Sequence, residues 1–152
     1  MRIIPEIVWA ALGLLLAVSP AQGATLAVQD AWIREAPPTA SVLAAYMVIN
    51  NTGESLAGIT AIASPDFERT ELHRTVVESG VARMVAIEKL EIPSGDKLSL
   101  DPGGIHLMLI NPLRPLRAGD TVTLVIQGDD GASTTVSVPV VREAGEAAHQ
   151  HH

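Results

Sequence analysis

The chain has 152 residues, a length that suits one domain, and carries 17 acidic against 10 basic side chains for a net charge of −7. That balance, with no basic cluster anywhere, argues against a nucleic-acid partner. Cysteine is absent, which removes thiol nucleophiles, thiolate zinc sites, iron–sulfur clusters and blue-copper centres.

The opening stretch, MRIIPEIVWAALGLLLAVSPAQGA, is patterned for export. Arg2 and the amino terminus give a weak positive start, although Glu6 offsets part of it and leaves a retained anchor as the alternative. IVWAALGLLLAV is an apolar run of about a dozen residues, shorter than the roughly 20 that span a bilayer. SPAQGA then supplies small residues for a signal peptidase, with Ala21 and Gly23 at the −3 and −1 positions. The expected organisation is a signal peptide over 1–23, a single domain over 24–142 and a flexible tail over 143–152. The mature protein is expected in the periplasm and not embedded in the membrane. A domain of this size can bury enough surface to stand without disulfides.

Beyond the leader, segments rich in Val, Ile, Leu and Thr alternate with Gly, Pro, Asn and Asp. Strands are predicted at TLAVQDAWIRE (25–35), SVLAAYMVINN (41–51), LAGITAIAS (56–64), TELHRTVV (70–77) and VARMVAIE (81–88). Further strands are predicted at KLSL (97–100), IHLMLIN (105–111), TVTLVIQ (121–127) and STTVSVPVV (133–141). Turns fall at NTGES, SPDF, ESG, PSGD, DPGG, RAGD and GDDGA, and the last two strands read as a terminal hairpin. No segment after the leader carries a sustained helical stripe. Many short strands at near-regular spacing indicate an all-β antiparallel sandwich or barrel. Met47, in AAYMVIN, reads as a core residue; Trp32 reads as core, with a place lining the site as the alternative. The end of the chain, REAGEAAHQHH, lacks strand-forming residues and reads as disordered.

Outside that tail the sequence has two histidines, His73 and His106, and three methionines past the start codon, Met47, Met84 and Met108. Side chains two apart on a strand share a face, so His106 and Met108 stand side by side, roughly 7 Å apart at Cβ. His73 and Met84 flank a predicted hairpin at ESG. A two-residue loop of Glu78 and Ser79 sets them directly opposite at about 5 Å, and a four-residue loop from Glu78 to Val81 sets them diagonally on one face. A three-residue loop puts them on opposite faces unless a bulge intervenes. Gly103 and Gly104 form the turn that leads into His106. Taken singly, each histidine or methionine is as well explained by core packing. Taken together, two imidazoles and two thioethers are all neutral, and thioether sulfur selects Cu(I). In an oxidising compartment a thioether is also not lost to disulfides.

The spacing His73–x10–Met84–x21–His106–x–Met108 resembles the signature of the periplasmic copper chaperones called PCu(A)C. AWIREAPP, AAYMVINNTG and LEIPSGDKLSLDPGGIHLML extend the resemblance over most of the domain. It implies a cupredoxin-like Greek-key β-sandwich holding Cu(I) through His73, Met84, His106 and Met108, with no enzymatic activity. It further implies delivery of copper to a partner, the copper-A subunit of cytochrome c oxidase or another copper chaperone. Many members carry extra methionines near the first histidine and before the middle methionine, where this chain has Arg74, Thr75 and Ala82. The tail histidines His149, His151 and His152 look like a short version of the Cu(II)-binding tails of some members, and otherwise read as a solvated end. Two competing functions remain at this level: an exported β-sandwich interaction module that binds no metal, and a periplasmic copper storage or resistance protein.

Overall fold

Alternating apolar and polar side chains, interrupted by turn residues, produce ten strands in the computed structural model, which describes residues 23–142. They are β1 (Leu26–Arg34), β2 (Val42–Asn51), β3 (Ala57–Ala63), β4 (Phe67–Glu78) and β5 (Val81–Ala86), followed by β6 (Leu90–Ile92), β7 (Lys97–Leu100), β8 (Ile105–Pro112), β9 (Thr121–Gly128) and β10 (Ser133–Val141). No helix occurs among the described residues. Apart from Gly23, the expected signal segment lies outside them, as does the tail with His149, His151 and His152.

One layer runs β5-β4-β8-β2-β1, with β7 pairing the far half of β2, and the other runs β10-β9-β3-β6. The chain crosses between layers at β2–β3, β3–β4, β5–β6, β6–β7 and β8–β9. The expected β-sandwich is therefore the observed class. It departs from a wholly antiparallel arrangement at one place: β1 and β10 run parallel where the layers join, with Ile33 beside Val140 and Arg34 beside Val141. A parallel neighbour needs no tight turn, so it suits two strands from opposite ends of the chain.

The core lies between the layers. Ile33, Leu43, Ala45, Met47 and Ile49 from one meet Ile59, Ile62, Leu124, Ile126 and Val138 from the other. Met47 is buried there as expected. Trp32 is buried as expected, in a second, smaller cluster with Tyr46 and Val141 and not between the layers. Leu26 and Val28 pack against the core, and strict alternation would send Trp32 the same way. Between Gln29 and Trp32, however, β1 slips its register against β2, with Asp30 at φ 51°. That bulge reverses the facing, so Ile33 turns inward and Trp32 outward to stack on Tyr46, ring centroids 4.7 Å apart. The sequence pattern also did not mark β6, whose three residues bury Leu90 and Ile92 beside β3.

Candidate metal centre

Pairing of β4 with β8 sets His73 opposite His106 and Glu71 opposite Met108. Directly paired residues share a face, and so do residues two apart. These four side chains therefore stand together on one surface of the layer. Leu72 and Leu107, on the reverse side of the same strands, are buried in the sandwich core. The histidines and Met108 thus occupy the outer face of the layer.

The β4–β5 hairpin brings Met84 to that face. It turns through Ser79 and Gly80, at φ 52° and 78°, with Glu78 paired to Val81. Positive φ at both central residues is the two-residue turn whose twist matches a hairpin. The resulting register pairs His73 with Ala86 and Thr75 with Met84, so Met84 is the diagonal neighbour of His73 on the same face. Cβ atoms in that relation are about 7–8 Å apart. Of the registers open from sequence, this is the one expected of the four-residue loop, reached here with a two-residue one.

Each imidazole has one nitrogen engaged and one buried without a partner. His73 Nε2 lies 2.9 Å from Glu71 Oε2, and His106 Nδ1 lies 3.1 Å from the Gly104 carbonyl oxygen. His73 Nδ1 and His106 Nε2 have no hydrogen-bond partner. The ring centroids are 6.1 Å apart. With metal–nitrogen bonds of about 2 Å, two imidazoles on one ion have centroids roughly 5–6.5 Å apart, so the existing separation accommodates an ion. Buried unpaired polar atoms are costly and rare in folded proteins. Two of them on facing side chains fit a site that takes up an electrophile.

The side chains of the expected set differ in exposure. His106 is 5% exposed and Met108 is half-buried beside Ala44, whereas Met84 is 61% exposed on an edge strand with every residue solvent-facing. Among the described residues no group of three or more His, Cys, Asp and Glu side chains gathers as a metal site. Beside the two imidazoles this face carries the thioethers of Met84 and Met108, which are soft donors by type, and the Glu71 carboxylate.

Two contributors were not singled out from sequence. Glu71 is one, although its position two residues before His73 on a strand was a signal for it. Its Oε1 accepts a 2.7 Å hydrogen bond from Arg69 Nε while Oε2 takes His73. The His73 contact, followed by Arg69, holds the Glu71 carboxyl below the ordinary carboxylate range. The Gly104 carbonyl is the other. Gly103, at φ 83°, makes the turn that presents it, and Gly104 also accepts the Thr75 amide N–H. On the β2 side of Met108, a cleft of about 210 Å³ opens between Arg34, Glu35, Ala36 and Ala44.

Four resemblances accompany this geometry. The family described as "Putative lipoprotein LpqE-like" matches residues 26–140. "Putative lipoprotein Lxx21020" of Leifsonia xyli subsp. xyli is 33% identical over 114 residues, covering 74% of this chain and 68% of that protein. Among solved structures, Cu(I)-bound DR1885 from Deinococcus radiodurans matches with a TM-score of 0.59 at 30% identity, over 74% of this chain and 76% of that one. The copper-bound PCuAC domain from PmoF2 matches with a TM-score of 0.64 at 15% identity, over 78% and 93%, a likeness of fold.

Proposed function

The chain belongs to the LpqE-like family and has the fold of PCuAC copper-binding domains, and we propose that it is an exported copper chaperone. In this reading His73, Met84, His106 and Met108 hold a single Cu(I), which is cargo and not a catalyst, and the protein passes it to a partner in the periplasm. The copper-A subunit of cytochrome c oxidase, or another copper chaperone, is the proposed recipient. The tail histidines His149, His151 and His152 are proposed as a separate Cu(II) site. The mature domain is proposed to span 24–142.

One observation carries the reading: two facing imidazoles each keep a buried, unpartnered nitrogen on the sheet face that also bears two thioethers. A metal-free interaction module leaves those nitrogens unexplained. Four neutral donors leave a bound Cu(I) with its single charge, which suits a half-buried site better than the double charge of Cu(II) or Zn(II). Exposure of Met84 favours transfer over storage, because a donor at the surface can be exchanged for one from a docking partner without opening the core.

Anaerobic Cu(I) titration followed by X-ray absorption tests this directly. The expected result is one Cu(I) per chain, bound at the main site by two nitrogen and two sulfur scatterers, with Zn(II) much weaker. Equal affinity for zinc, or a copper shell without sulfur, overturns it.

A further inference from the structure

We propose that Glu71 and the Gly104 carbonyl select different nitrogens on the two imidazoles, so that His73 offers Nδ1 and His106 offers Nε2 to the ion; this rests on the copper reading above.

A neutral imidazole has one N–H and one lone pair, and whatever engages the first decides which nitrogen carries the second. An ionised carboxylate only accepts hydrogen bonds. Glu71 Oε2, 2.9 Å from His73 Nε2, therefore fixes the proton on Nε2 and leaves the lone pair on Nδ1. A backbone carbonyl likewise only accepts, so the Gly104 oxygen, 3.1 Å from His106 Nδ1, fixes the opposite tautomer there. The nitrogens left bare by this logic are the two that are buried without partners.

The origin lies in where each acceptor sits. Glu71 shares the face of β4 with His73, and its side chain reaches out to the far edge of the ring. Gly104 is two residues before His106, so its main-chain oxygen meets the near edge. Arg69 takes the other Glu71 oxygen at 2.7 Å and so aims the carboxylate. A ring that binds through Nδ1 keeps its ion close to its own strand, while one that binds through Nε2 reaches outward. This combination favours the β4 side of the face, where the hairpin carrying Met84 is attached. Glu71 is accordingly a positioning residue and does not itself ligate.

The test uses the ¹⁵N-labelled full chain at a pH where both rings are neutral. Long-range ¹H–¹⁵N correlation of the copper-free protein is expected to show His73 protonated on Nε2 and His106 protonated on Nδ1. One equivalent of Cu(I), added anaerobically, should shift His73 Nδ1 and His106 Nε2 while the His73 Nε2–H signal persists. Glu71→Ala should mix the His73 tautomers and weaken Cu(I) binding roughly 10- to 100-fold, the range for loss of an outer-shell partner. Glu71→Gln, whose amide oxygen can accept the same hydrogen bond, should recover most of that loss. Copper bound one-to-one through His73 Nε2, or a Glu71→Ala protein with unchanged tautomers and affinity, overturns the proposal and leaves the copper reading standing. If neither imidazole responds to Cu(I), the copper reading falls and this inference with it. The copper-free tautomers are read before any metal is added, so the two failures are distinguishable.

Discussion

Replacing Met84 and Met108 by leucine separates copper binding from packing, because the structure predicts opposite sizes for the two effects. Met84 is 61% exposed on the edge strand β5, so Met84→Leu should change unfolding free energy by no more than about 0.5 kcal/mol. Met108 is half-buried beside Ala44, and a swap that conserves most of its volume should cost less than about 1.5 kcal/mol. Each substitution nevertheless deletes a sulfur donor. Loss of a mere outer-shell partner typically lowers metal affinity 10- to 100-fold, so loss of a ligand should reach at least roughly 100-fold. That corresponds to about 2.8 kcal/mol of binding free energy. The two losses need not add, since both donors serve one ion. Competition against a Cu(I) chelator of known affinity, run anaerobically beside urea unfolding of the copper-free chains, measures both quantities. A double variant that folds normally and still binds Cu(I) like the parent would show that the methionines are packing residues, and the chaperone reading would fail.

Other consequences concern the frame around the site. Asn51 is 1% exposed; its Nδ2 donates to the Ser55 and Ile92 carbonyls at 2.7 and 2.9 Å, and its Oδ1 accepts the Gly53 N–H at 3.0 Å. Asn51→Ala strands those groups and should cost about 2–4 kcal/mol in urea unfolding, with Cu(I) affinity unchanged. Gly80 sits at φ 78° with open space where a Cβ would go, so Gly80→Ala meets only backbone strain. It should destabilise the hairpin by about 1–2 kcal/mol, seen as faster amide exchange across β4 and β5. The Glu35 carboxyl, bonded by the Ala118 N–H and then by Arg142, and the Asp129 carboxyl, bonded by Lys89, both lie below their ordinary values of 4.5 and 3.8. A depressed carboxylate contributes stability above its unfolded pKa and loses it as pH falls through the folded one. Urea midpoints should therefore hold from neutrality to about pH 5 and decline below about pH 4.5, with a shallower decline in Glu35→Gln and Asp129→Asn.

What the sequence made legible was whatever repeats every two residues. Nine strands announced themselves through alternation and turn punctuation, and so did the shared face of His106 and Met108. β6 did not, because three residues before Pro93 are too few to establish a period. The face that Trp32 takes was not legible because alternation carries no mark of an inserted residue, and the bulge near Asp30 inverts everything after it. The facing of Met84 depended on the parity of a loop. Composition left that parity open, while the left-handed conformations of Ser79 and Gly80 settle it in the fold. Glu71 stood within reach of the same period-two argument, whereas the Gly104 carbonyl did not, since a main-chain acceptor leaves no trace in residue identity. The parallel seam of β1 and β10 joins the two ends of the chain, a relation that no local pattern encodes.

Unequal exposure of the proposed donors has a chemical consequence that tests the site through oxidation of its sulfurs. Sulfoxidation follows access to the thioether, and a sulfoxide no longer offers a soft sulfur lone pair. Met84 stands 61% exposed, Met108 is half-buried and Met47 is 2% exposed, so dilute peroxide should oxidise them in that order. Loss of Cu(I) affinity should track the Met84 sulfoxide and approach the level of Met84→Leu. A soft ion occupying the site would change the order, because a coordinated sulfur has its lone pair engaged and its side chain held against the sheet. Silver(I) shares the preference for thioethers and avoids the copper–peroxide reaction, so it serves as the protecting ion. Peptide mass spectrometry over a peroxide time course should then show Met84 slowed by one equivalent of silver. Meanwhile Met47, buried in the sandwich core, should keep its own slow rate. Equal Met84 oxidation with and without silver would mean that its sulfur faces only water. The outward face of β4 and β8 would then hold two imidazoles with no fourth donor from the hairpin.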